Sequence, residues 1–117
     1  MTTEDTRRRA PRAAIAVRTV RIARELHHLV PEAAVVRFTP VWTDRTGTPR
    51  LAQVVTLLDS YGRPVDAGLA AHRYARDLVR RNFSRADWTR QHRYDVRTGH
   101  LAQLGAPQLP PAFGGAL

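Results

Sequence analysis

The chain has no cysteine and no lysine. The first absence excludes disulfides, thiolate nucleophiles and cysteine-based zinc sites together, and it suits a cytosolic compartment. The second makes arginine the source of all 19 basic side chains. Serine is nearly as scarce, with only Ser60 and Ser84. Neither lies in a nucleophile elbow, and no P-loop or dinucleotide fingerprint occurs. The longest apolar runs are about five residues, far below the ~18 that span a bilayer, so no membrane segment is expected. The start, MTTEDTRRRAPRAAIAVRTVRIA, is basic, but Arg18 and Arg21 interrupt the apolar core that a signal peptide needs.

What is present fits one folded domain. The 117 residues are 43% hydrophobic, enough for a core that buries ~65% of the unfolded surface. The net charge is +9. A GC-rich genome accounts for arginine in place of lysine, but codon bias does not fix the excess of basic over acidic residues. A field of that sign attracts phosphate polyanions, and also anionic lipid or an acidic protein.

Residues 1–10 read as a flexible basic arm, and Pro11 as the first turn of a helix. In PRAAIAVRTVRIARELHHLV, residues Ile15, Thr19, Ile22, Leu26, Leu29 and Val30 share one side, with Arg18, Arg21 and Arg24 mainly elsewhere. Pro31 ends the helix. In AAVVRFTPVWT, residues 33–43, Ala34, Val36, Phe38, Pro40 and Trp42 alternate with Val35, Arg37, Thr39, Val41 and Thr43. That is a strand, and Pro40 argues for an edge or bulged position. LAQVVTLLD, residues 51–59, is apolar on both faces and so should be more central. The two make a hairpin.

Asp66 is placed to cap a second helix, which turns Ala71, Ala75, Leu78, Val79 and Phe83 inward. Asp77 has Arg73 four before it and Arg81 four after, a spacing for surface ion pairs. RQHRYDV alternates His92, Tyr94 and Val96 against Gln91, Arg93 and Asp95, a third strand. Arg97 to Gly99 is a turn, and His100 to Gln103 a possible short return strand. The single domain covers residues 11–104. Residues 105–117, rich in proline and glycine, read as a flexible tail. The fold class is α+β, in the order α-β-β-α-β: a three- to four-stranded, mainly antiparallel sheet with two helices on one face.

The chemistry-bearing stretch is RRNFSRADWTRQHRYDVRTGH, residues 80–100. Its aromatics, Phe83, Trp88 and Tyr94, fall on core-facing positions, with Trp88 plugging the junction between helix and strand. Of the arginines in this stretch and just before it, Arg76, Arg80 and Arg93 point outward, and Arg85 and Arg90 sit in or beside a loop. Arg76, Arg80, Arg85, Arg90 and Arg93 are therefore the candidate phosphate contacts, and Arg7, Arg8, Arg9 and Arg12 a mobile second grip. No histidine pair has HxH or HxxxH spacing and no carboxylate cluster accompanies the five histidines, so no metal and no cofactor are expected. A metal-free ribonuclease needs an acid, a base and an arginine, which His72, His92, Arg93 and Tyr94 could supply.

LLDSYGRPVDAGLAAHRYARDLVRRNF, with the later ADWTRQHRYDVRTGHL, resembles short accessory proteins of actinomycete plasmids and integrative elements, over roughly residues 51–101. The likeness lies in the strand ending LLD, the turn with GRP, the arginine-rich helix, then ADW and YDVRTG. It implies DNA-associated control of replication or transfer, and it assigns no functional residue.

The sequence thus points to a small basic protein that binds nucleic acid, DNA before RNA, as a regulator. Dimerisation through a strand edge is compatible with this. The other readings are an adaptor for an acidic protein partner and the metal-independent ribonuclease.

Overall fold

A computed structural model describes residues 3–44 and 47–105, with side chains from residue 13 onward. The elements run α1 (Thr3–Leu29), β1 (Val35–Thr43), β2 (Arg50–Leu58), α2 (Leu69–Asn82), β3 (Gln91–Asp95) and β4 (Leu101–Leu104). The strands form one antiparallel sheet in the order β2-β1-β3-β4. No described helix is long and apolar enough to cross a membrane.

Period-two alternation decides which side of the sheet is covered. Val36 pairs with both Leu57 and Tyr94, and Phe38 with Val55 and His92. Val36, Phe38, Leu57 and Tyr94 are fully buried. Above them lie Ile22 and Leu26 of α1 and Ala71, Ala75, Leu78 and Val79 of α2, in one cluster. The spacing of those four in α2 is the helical period read in the sequence. Each large side chain in this layer contributes about 1.5–3 kcal/mol by leaving water.

Four expectations are corrected. The first helix starts at Thr3, not Pro11. Pro11 therefore lies inside a helix, where it has no N–H for the Arg7 carbonyl. The arginines at positions 7, 8, 9 and 12 are carried on helical backbone, and their side chains lie outside the described residues.

Second, β1 is central and β2 is the edge. Pairing of β1 with β3 covers only Val35–Phe38. Pro40 therefore lies where β1 has β2 alone as a neighbour, so the missing N–H costs no bond on the far side. Apolarity on both faces of β2 reflects one face under the helices and one left open, where Val54 is half exposed.

Third, Gly68, not Asp66, holds the N-cap of α2. It has φ 86° and gives no side-chain cap, while the Asp66 carboxylate accepts the Gly68 N–H at 3.4 Å. Fourth, Asp77 pairs with its neighbour Arg76 at 2.9 Å, rather than with Arg73 or Arg81. The possible return strand is β4. The tail beyond Gly105 lies outside the described residues.

Candidate nucleic-acid interface

Burying Ala71, Ala75, Leu78 and Val79 leaves positions 73, 76, 77 and 80 on the outward stripe of α2. Arg73 and Arg80 are exposed and make no ion pair among the described residues. Arg76 is half-buried, and its Nε donates to Asp77. That bond, reinforced by the fields of Arg76, Arg80 and Arg81, holds the Asp77 carboxyl below the usual range. Arg80 and Arg81 occupy the last turn, where the helix dipole favours cations. The Arg80 guanidinium stands 5.8 Å from the centre of the Trp88 ring, near the outer limit of a cation–π contact.

The seam between α1 and α2 is also basic. Asn82 sits at its lower end, with its side-chain amide donating to the Leu78 carbonyl at 2.8 Å. Arg18 Nη1 donates to the Asn82 carbonyl at 3.3 Å and Arg21 Nη2 to its side-chain oxygen at 3.2 Å. Arg21 and Arg81 share a groove of about 330 Å³ with Glu25 and Asn82. Arg18 does not face solvent as its helical position suggested. Its guanidinium lies 4.0 Å over the Phe83 ring, and Phe83 packs 5.5 Å from Tyr94.

Beyond α2 the chain turns through residues 83–90. Trp88 closes the turn: its Nε1–H donates to the Phe83 carbonyl at 3.1 Å, and its ring packs 4.7 Å from Phe38. Asp87 accepts the backbone N–H of Thr89 at 3.1 Å and also the Thr89 hydroxyl. These bonds lower its pKa, the hydroxyl first. Its second oxygen pairs with Arg90 Nε at 3.3 Å. Arg85 is exposed in this turn.

The five domain arginines expected to bind phosphate therefore separate. Arg76 and Arg80 share one face of α2, and Arg85 follows in the next turn. Arg90 is held by Asp87. Arg93 is exposed on the other side of the sheet, opposite Arg37. The structure adds Arg81 and Arg73, which the helical period alone placed beside Arg80. It also adds Arg37, whose odd place in the β1 alternation was a signal.

The ribonuclease set does not converge. His92 is buried, its Nδ1–H donating to the Arg90 carbonyl at 2.9 Å and its ring 4.7 Å from Trp88. Tyr94 is fully buried on the same face. Arg93 points the other way, and His72 Nδ1 is 2.7 Å from the Gly68 carbonyl at the start of α2. Among the described residues, no three His, Asp or Glu side chains gather as a metal site would require.

The chain matches no family model, no curated protein and no solved structure.

Proposed function

We propose that the protein binds nucleic acid by phosphate contact through the arginines of its helix layer, as a small regulatory accessory protein. One observation carries this reading. Arg21, Arg24, Arg73, Arg80, Arg81 and Arg85 are all exposed on α1, on α2 or in the turn after it. None of the six makes an ion pair among the described residues. The acids on that layer are fewer, and two of them, Asp77 and Asp87, are engaged by Arg76 and Arg90.

Such a surface acts by displacing condensed cations from the polyanion, which gives affinity without base readout. Duplex DNA is the first substrate, in line with the resemblance to plasmid accessory proteins, and control of a mobile element is the proposed setting. A homodimer belongs to the same reading. The free edge of β2 borders a groove of about 510 Å³ whose other bank is the start of α2, so nothing described pairs with that edge at Gln53–Val55.

Fluorescence anisotropy on a labelled duplex between 50 and 200 mM salt tests the reading. Affinity should fall with a slope of about −0.9 per phosphate contacted. Replacing Arg80 and Arg81 by alanine should flatten the slope by about 2. No binding at 50 mM salt, or an unchanged slope in the double variant, would reject it.

A further inference from the structure

The side of the sheet away from the helices, which no described element covers, carries a feature that the helix layer does not explain. Arg37 of β1 and Arg93 of β3 are direct register partners. Alternation sends both away from the helices: Val36, Phe38, His92 and Tyr94 beside them are buried, whereas both arginines are exposed. Cross-strand partners hold their Cβ atoms about 5 Å apart, and like charges placed so destabilise the pair.

No ion pair among the described residues offsets the repulsion. The row reads Thr56, Arg37, Arg93, Ala102 across the four strands. The nearest carboxylate along the same face of β3, Asp95, has Oδ1 taken by the N–H groups of Arg97 and Thr98, at 2.9 and 3.2 Å. Neither Arg37 nor Arg93 makes an ion pair among the described residues. By contrast Arg63, Arg76 and Arg90 each have an acid at or below 3.3 Å.

We infer that Arg37 and Arg93 form a phosphate-binding site on the open face of the sheet, and that its occupant is the backbone of a nucleic-acid strand. Two guanidinium forks at this spacing can each donate to oxygens of one phosphodiester, which cancels their mutual repulsion. Thr56, beside Arg37, adds a hydroxyl donor. The rest of the face supplies aliphatic rather than stacking surface: Val41 and Val54 are 41% and 50% exposed, and no aromatic residue occupies the outward positions of the four strands. Contact is therefore with the backbone and indifferent to sequence. The choice of a polymeric phosphate rests on the function proposed above; the affinity of the pair for phosphate does not.

The test combines unfolding with arginine side-chain NMR on wild type, Arg37→Gln and Arg93→Gln. Without anions, each single variant should melt higher than wild type, by roughly 1–5 °C, because one charge of a repelling pair is gone. A 16-nucleotide single strand should shift the Nε–Hε signals of Arg37 and Arg93 together and saturably. Its affinity should fall about tenfold in either variant. Lower melting of the variants in anion-free buffer, with unchanged affinity, would overturn the site. If inorganic pyrophosphate moves both signals but the oligonucleotide does not, the site takes a small phosphate compound and the proposed occupant is wrong. Arg80→Ala with Arg81→Ala, run alongside, reports on the helix layer alone, so either surface can fail without the other.

Discussion

Thr19 of α1 lies directly against Gly99 in the turn between β3 and β4. A Cβ at position 99 would stand 2.7 Å from the Thr19 methyl and 2.8 Å from its Cβ, and closer still to its hydroxyl oxygen. Gly99 also has φ 75°, and its N–H donates to the Asp95 carbonyl at 2.8 Å. The turn is thus pinned twice, by a left-handed backbone and by a helix with no room for a side chain.

Gly99→Ala should therefore destabilise the fold by about 3 kcal/mol, combining left-handed strain with overpacking. Chemical denaturation measures it. Thr19→Ala in the same chain should restore about 1 kcal/mol, because two of the three clashing atoms disappear. Full additivity of the two changes would contradict the contact.

Arg18→Ala should cost about 1–2 kcal/mol, unusual for an arginine that its helical spacing places on the surface. The loss combines the guanidinium over Phe83, the bond to the Asn82 carbonyl and the packing of the aliphatic stem. Arg24→Ala, exposed on the same helix, should change stability by less than about 0.5 kcal/mol. Urea midpoints compare the two.

The Tyr94 hydroxyl is buried and has no hydrogen-bond partner among the described residues. Tyr94→Phe should therefore stabilise the protein by about 1 kcal/mol, since it removes a desolvated polar group that gains nothing. Burial, more than any charge, raises the pKa of this phenol above 10.0, with Arg18 opposing the shift and Asp95 adding to it. A folded-state pKa above the unfolded one means that stability is full below about pH 10 and falls as pH rises toward the folded value. Melting temperature against pH should show that alkaline loss in wild type and much less of it in Tyr94→Phe.

The fold was legible where a single period governs a segment. Ala71, Ala75, Leu78 and Val79 repeat at helical spacing, and Val36 and Phe38 alternate against Arg37, so their burial follows from position alone. Arg18 was not legible, because its inward place depends on Phe83, 65 positions away in sequence. The neighbours of β1 were not legible, because Pro40 bears only on the outer half of a strand whose two halves have different surroundings. Much of the candidate helix-layer surface could be seen as arginines on one helical stripe. The opposition of Arg37 and Arg93 could not, since register between β1 and β3 is set by tertiary packing.

Strand β2 exposes an apolar edge with only one charged residue, Arg50, and edges of that kind pair with copies of themselves unless a charge intervenes. For the homodimer proposed above, Val54→Lys should raise the dissociation constant at least about tenfold in sedimentation velocity, and a wild type that sediments only as monomer would reject that dimer. The substitution should leave monomer stability within about 0.5 kcal/mol, because the position is half exposed.

Because β3 flanks β1 only as far as Phe38, the sheet should have two tiers of amide protection. Backbone protons in the Val35–Phe38 segment are released to deuterium only when several strands part together. Those from Thr39 to Thr43 need only the hairpin to breathe, so isotope uptake should divide a single strand after Phe38.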